Sequence, residues 1–176
     1  MLKVFYAKRK DYFSSTELLK KILGEYFSIF EYTITKNENG KPYLVLENSQ
    51  LEQLFFSVTH TNLAYFIAIS NENIGIDAEP TSRKTNYSSI LQKFPMEERE
   101  RVSNTSDFLK LWTVKEATIT WLGGSIAKDL KKLAFIEKKL TLNGLELPIS
   151  IQEIEVFDHF IGICKEKTEI PSFYNL

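Results

Sequence analysis

Between Gln53 and Asn71 the chain carries no Asp, Glu, Lys or Arg. A stretch so free of charge either crosses a membrane or lies in a protein core. Gln53, Ser57, Thr59, His60, Thr61 and Asn62 put too many polar groups in it for hydrocarbon, so it reads as buried strands over 54–58 and 63–70. Strands buried on both faces need layers to cover them, and the rest of the chain supplies candidates. Further strands are expected at 3–7, 32–35, 43–46 and 74–79. Ser14 followed by Glu17 is a capping-box pattern that opens a helix with Leu18, Leu19, Ile22, Leu23 and Tyr26 on its apolar face, weakened near its end by Gly24. A turn cluster at 37–42 leads into the strand at 43–46.

Past Pro80 the character changes. Residues 81–87 are polar and read as a loop. Short helices are expected over 88–94 and from Pro95 to 101, then a strongly apolar helix over 108–122, capped by Ser106 or Asp107 and stopped by Gly123-Gly124. Strands follow at 133–137, 140–142, 149–155 and 159–165. Tyr65-Phe66-Ile67-Ala68-Ile69 and His159-Phe160-Ile161-Gly162-Ile163 echo each other, as a duplicated α+β unit would, although two unrelated buried strands would look alike too.

Charge and cysteine content narrow the function classes. The 176 residues hold 22 basic and 23 acidic side chains, a net charge of −1. Bulk charge therefore gives no steering toward nucleic acid or an anionic membrane. One cysteine, Cys164, excludes an intrachain disulfide, and with only His60 and His159 it cannot build a zinc cage. The first ten residues do not read as a signal peptide, and a cytoplasmic location is expected. Rossmann, P-loop and serine-hydrolase signatures are absent.

Asp77 and Glu79 sit two apart in an expected strand, so both carboxylates leave the same face. Two adjacent anions need a cation or open water; Mg²⁺, which prefers oxygen ligands, is one neutraliser, and a solvated strand end is the plain alternative. Glu116 lies in the apolar helix, where an unpaired carboxylate is expensive to bury. Lys115 is about 100° away around the helix and poorly placed to pair with it, which leaves Glu116 as a candidate third acidic ligand. Thr113 and Thr120 should share its face. His60, with the Thr59 hydroxyl beside it, has the donors for a phosphate oxygen, although a lone histidine is more often structural. Lys41, between Gly40 and Pro42, is a turn cation that could reach an anion or simply be solvated.

In combination these blocks resemble the 4′-phosphopantetheinyl transferase superfamily. Gly40-Lys41-Pro42, Phe56-Ser57-Val58-Thr59-His60-Thr61, Ile74-Gly75-Ile76-Asp77-Ala78-Glu79 and Trp112-Thr113-Val114-Lys115-Glu116-Ala117 come in the family's order. Phe94 to Glu98 is similar to its Phe-x-x-x-Glu segment. The resemblance is nearest to the larger, monomeric type that activates peptide and polyketide synthases. It implies an α+β fold of two similar halves related by a pseudo-twofold, here 1–80 and 81–176, with the active site in the cleft between them. It implies transfer of the 4′-phosphopantetheine arm of coenzyme A to a serine of an apo acyl, peptidyl or aryl carrier protein, with release of adenosine 3′,5′-bisphosphate. Asp77, Glu79 and Glu116 would hold Mg²⁺, Glu116 would also take the serine proton, and His60 would act at the phosphates with Thr59. Lys41 would lie near the adenosine end and Lys115 would add positive charge. Lys8, Arg9, Lys10, Lys20 and Lys21 are the candidates for the 3′-phosphate. One departure motivates a different reading. The family's lysine four residues after the glutamate is here Thr120, and a non-catalytic homologue that binds coenzyme A or a carrier protein would tolerate that loss. A small metal-dependent phosphodiesterase is a third reading.

Overall fold

A computed structural model describes every residue except 39, 48–52 and 138; Asn39 of the expected 37–42 turn thus lies outside the described residues. The chain opens with β1 (Leu2–Lys8) and a single 3₁₀ turn, then α1 (Ser15–Phe27) and the hairpin β2 (Tyr32–Lys36) and β3 (Pro42–Leu46). β4 (Phe55–His60), β5 (Ala64–Ser70) and β6 (Ile74–Pro80) follow. Two short helices, α2 (Ser88–Leu91) and α3 (Met96–Glu100), precede the long α4 (Thr105–Leu122) and the short α5 (Ile126–Asp129). The chain ends in strands: β7 (Leu133–Ile136), β8 (Lys139–Leu142), β9 (Leu145–Glu146), β10 (Ser150–Val156), β11 (His159–Lys165) and β12 (Ser172–Asn175). No helix among the described residues is long and apolar enough to cross a membrane.

The uncharged stretch becomes β4 and β5, and every residue of β5 is buried. β5 lies inside the sheet β12-β1-β5-β4, in which only the β1–β12 pair is parallel. Its two faces separate with the strand period of two. Tyr65, Ile67 and Ile69 pack against Leu18, Leu19, Ile22 and Leu23 of α1. Phe66 and Ala68 pack against Ile74, Ile76, Ile161 and Ile163 of a second sheet, ordered β10-β11-β6. α4 covers the far side of that second sheet, where Phe108, Leu109 and Val114 meet Phe160 and the small β7-β8-β9 sheet. The layers therefore run helix, sheet, sheet, helix, and α+β is the class.

The two echoed segments fall in β5 and β11, each flanked by strands on both sides and each contributing to the core shared by the two sheets. The division at residue 80 does not follow the sheets: β6 precedes it, yet pairs with β11 in register Asp77 to Gly162 and Gly75 to Cys164. β6 feeds Ile74, Ile76 and Ala78 into the shared core. Its alternate residues, Gly75, Asp77 and Glu79, therefore face α4.

Local signals set most helix ends. Ser14 Oγ accepts the Glu17 N–H, and Glu17 in return accepts the Phe13 N–H. α1 nevertheless continues through Gly24 and closes at Ser28, which is left-handed with φ 56°. The cap of α4 is Asn104, two residues before the expected Ser106, because its side-chain oxygen takes the Asp107 N–H. Gly123 closes that helix in the left-handed conformation, as expected.

Two glycines allow α4 to lie directly on the sheet. A Cβ at Gly162 would come within 2.4 Å of Thr113 O, and one at Gly75 within 1.9 Å of Ala117 O and 2.7 Å of Trp121 N. The obstacle is helix backbone in both cases, so a side chain there must lift the helix. Gly75→Ala should cost about 1–3 kcal/mol through overpacking, read as a lower urea midpoint. An unchanged midpoint would mean that α4 is not seated on this glycine.

Candidate functional site

The close seat of α4 brings Glu116 to the face of β6 that carries Asp77 and Glu79. Asp77 Oδ1 accepts the Thr59 hydroxyl at 2.8 Å, which ties β4 to the cluster. The other oxygen, Oδ2, is buried and has no hydrogen-bond partner among the described residues. Burial, then the charge of Glu116, push the Asp77 carboxyl well above its ordinary range, while the Thr59 hydrogen bond works the other way. Glu116 is pushed up to about 7 by burial and by Glu79, with Arg83 opposing. Glu79 pairs with Arg83, four residues on, and its side chain is 12% exposed.

This is an anionic cluster short of positive charge. It offers only hard oxygen donors, the set that suits Mg²⁺, and the orphaned Asp77 Oδ2 is the kind of buried atom that calls for a partner. The residues fit such an ion by chemistry. Among the described residues no three His, Cys, Asp or Glu side chains are gathered closely enough to hold a metal as they stand, and Glu79 is already engaged by Arg83.

Beside the cluster lies an open cleft of about 560 Å³, walled by Arg9, His60, Thr61, Glu79, Arg83 and Lys84. Glu79 belongs to both. His60 is exposed at the end of β4, with its ring 6.1 Å from that of Tyr65. Arg9 donates to Thr61 O at 3.2 Å and lies over the Tyr65 ring, so its guanidinium is held in place at the cleft wall. Of the basic residues weighed for a phosphate, Arg9 is thus brought to this cleft. Lys20 and Lys21 instead line a separate groove on α1 with Phe30.

Two expected residues are not brought there. Lys115, expected to add charge at the cofactor, is fully buried and spends its three protons on Glu98 Oε1 (2.8 Å), Glu98 Oε2 (2.6 Å) and Leu133 O (2.6 Å). Lys41 turns inward to Asn73 Oδ1 (2.7 Å), Ile74 O (3.1 Å) and Trp121 O (3.4 Å), and burial pushes its amine down to about 8. That places it at the start of β6, three residues or about 10 Å of strand from Asp77. Thr59 is present, but its hydroxyl is committed to Asp77. Thr113, expected on the face of Glu116, bonds back to Lys110 O.

Sequence reasoning missed Arg83 and Lys84, which sit in a polar loop with no motif around them. The spacing of four from Glu79 was the available signal, and Pro80 between them hid it by ending the strand.

Comparison with characterised proteins finds a relative named 4′-phosphopantetheinyl transferase gsp, from Aneurinibacillus migulanus. The two are 26% identical over 159 residues, which is 84% of this chain and 64% of that protein. The chain thus spans a little under two thirds of the length of the curated relative it matches. No protein-family model matches the chain.

Proposed function

We propose that this chain, whose kinship with the 4′-phosphopantetheinyl transferase superfamily that relative supports, moves the phosphopantetheine arm of coenzyme A to a serine of an apo carrier protein. The reading is carried by one observation: α4, seated on Gly75, brings Glu116 to the face of β6 that carries Asp77 and Glu79, beside a buried, unpartnered Asp77 oxygen. A fold has little reason to gather mutually repelling acids without a cation to receive.

In this reading the serine Oγ attacks the phosphorus that carries the pantetheine arm. The bond from that phosphorus to the bridging oxygen breaks, and adenosine 3′,5′-bisphosphate leaves. Asp77, Glu79 and Glu116 would hold Mg²⁺, which would supply positive charge against the pyrophosphate. Glu116 takes the serine proton directly or through a water. Thr59 holds Asp77 so that its second oxygen stays free. Arg9, His60 and Lys84 receive phosphate oxygens along the cleft wall. Lys41 and Lys115 have no part in this assignment, because their amines are engaged in the interior. A monomer in the cytoplasm suits the reading.

The test is a carrier-modification assay. Apo acyl, peptidyl and aryl carriers are incubated with coenzyme A, Mg²⁺ and the protein, then weighed by mass spectrometry. A gain of one phosphopantetheine arm on at least one carrier is expected, with none when chelator replaces Mg²⁺. Bound coenzyme A with every carrier unmodified would overturn the proposal in favour of a binding protein.

A further inference from the structure

The acidic cluster already has a cation of its own. Arg83 follows the end of β6 in a turn closed by its N–H on Pro80 O at 3.0 Å, and the Thr81 N–H is anchored to Asp158 O at 2.9 Å. The backbone thus holds residue 83 over the strand end, where its guanidinium meets Glu79. The two partners differ in freedom. The Arg83 side chain is 45% exposed, the Glu79 side chain 12%, so the arginine can leave into the cleft while the carboxylate stays. Among the described residues no other basic side chain forms an ion pair with Asp77, Glu79 or Glu116.

Building on the metal reading above, we propose that Arg83 is a resident counter-cation, displaced from Glu79 when a divalent ion enters, and that it thereby sets the metal affinity of the site. A divalent ion and the guanidinium compete for the Glu79 carboxylate and repel each other at contact distance, so loading the ion favours release of the arginine. Arg83 then keeps the empty site from standing as bare, clustered anions, at a cost in metal affinity.

The experiment titrates Mn²⁺ into protein free of coenzyme A, by calorimetry, using wild type, Arg83→Ala and Lys84→Ala. Both substituted residues line the cleft, and each substitution removes one positive charge. Arg83→Ala should bind Mn²⁺ about two- to fivefold more tightly, the scale of releasing a partly exposed ion pair. Lys84→Ala should change the affinity by less than about twofold. Equal affinity in wild type and Arg83→Ala, or weaker binding by the variant, would overturn the role of Arg83. Equal tightening in both variants would overturn it too, as a plain charge effect. Absence of binding by all three proteins would overturn the metal reading and this inference with it.

Discussion

Glu116→Gln is expected to lower carrier modification by about a thousandfold or more, the scale for losing a positioned proton acceptor that also serves as an ion ligand. The same change should make the ion-free protein more stable above neutral pH. The sign follows from the direction of the shift. The Glu116 carboxyl is raised from 4.5 to about 7 in the fold, so folding favours its protonated form. The stability tied to that proton is complete below 4.5 and is lost as pH rises through about 7. The size is on the order of 3 kcal/mol. Glutamine keeps the shape of the neutral acid and cannot ionise, so it escapes this loss. Thermal melts from pH 5 to 8, with chelator present, should fall for wild type and fall less steeply for Glu116→Gln, since Asp77 still titrates in both. Retained transfer by the variant, or melts that fall in parallel, would remove Glu116 from its role.

What the sequence disclosed was local. The Gly-x-Asp-x-Glu spacing put Gly75, Asp77 and Glu79 on one strand face, and the structure supplies the reason for the glycine: it admits the backbone of α4. The 100° offset between Lys115 and Glu116 correctly separated their environments, but it could not say what each would face. Glu98 stood out as the glutamate of the Phe-x-x-x-Glu segment, but nothing in its neighbourhood announces that it is fully buried. The pairing of β6 with β11, and the parallel β12 beside β1, are long-range choices that periodicity does not encode. Charge was the misleading signal. Lysines in motif positions, Lys41 and Lys115, are expected at the adenosine end and as added charge at the cofactor, whereas their long stems deliver the amines to amide, carbonyl and carboxylate oxygens inside. Arg9, Arg83 and Lys84, outside any motif, are the cations that reach the cleft.

Glu98→Ala should destabilise the protein by about 3–5 kcal/mol, the largest stability effect expected of any single change here. Its carboxylate, on α3, takes two protons of Lys115 from α4 and the Phe135 N–H from β7. Both side chains of the ion pair are 0% exposed. Truncation therefore strands an ammonium with Leu133 O and the face of the Phe94 ring, 4.5 Å from the amine, as its remaining partners. It also leaves a backbone donor unpaired. Burial already pushes the Lys115 amine down, and Glu98 opposes that shift. Without Glu98 the amine should shed its proton more readily, so the deficit should be greatest at low pH and shrink as pH rises through the lowered value. Glu98→Leu combined with Lys115→Met removes both charges at similar volume. The double variant should unfold at a higher urea concentration than either single variant, short of wild type by about 1–3 kcal/mol for the Phe135 N–H. A double-mutant cycle at pH 7 measures the coupling directly. A single Glu98→Ala variant within about 1 kcal/mol of wild type would show that this pair does not join α3 and β7 to the helix that carries Glu116.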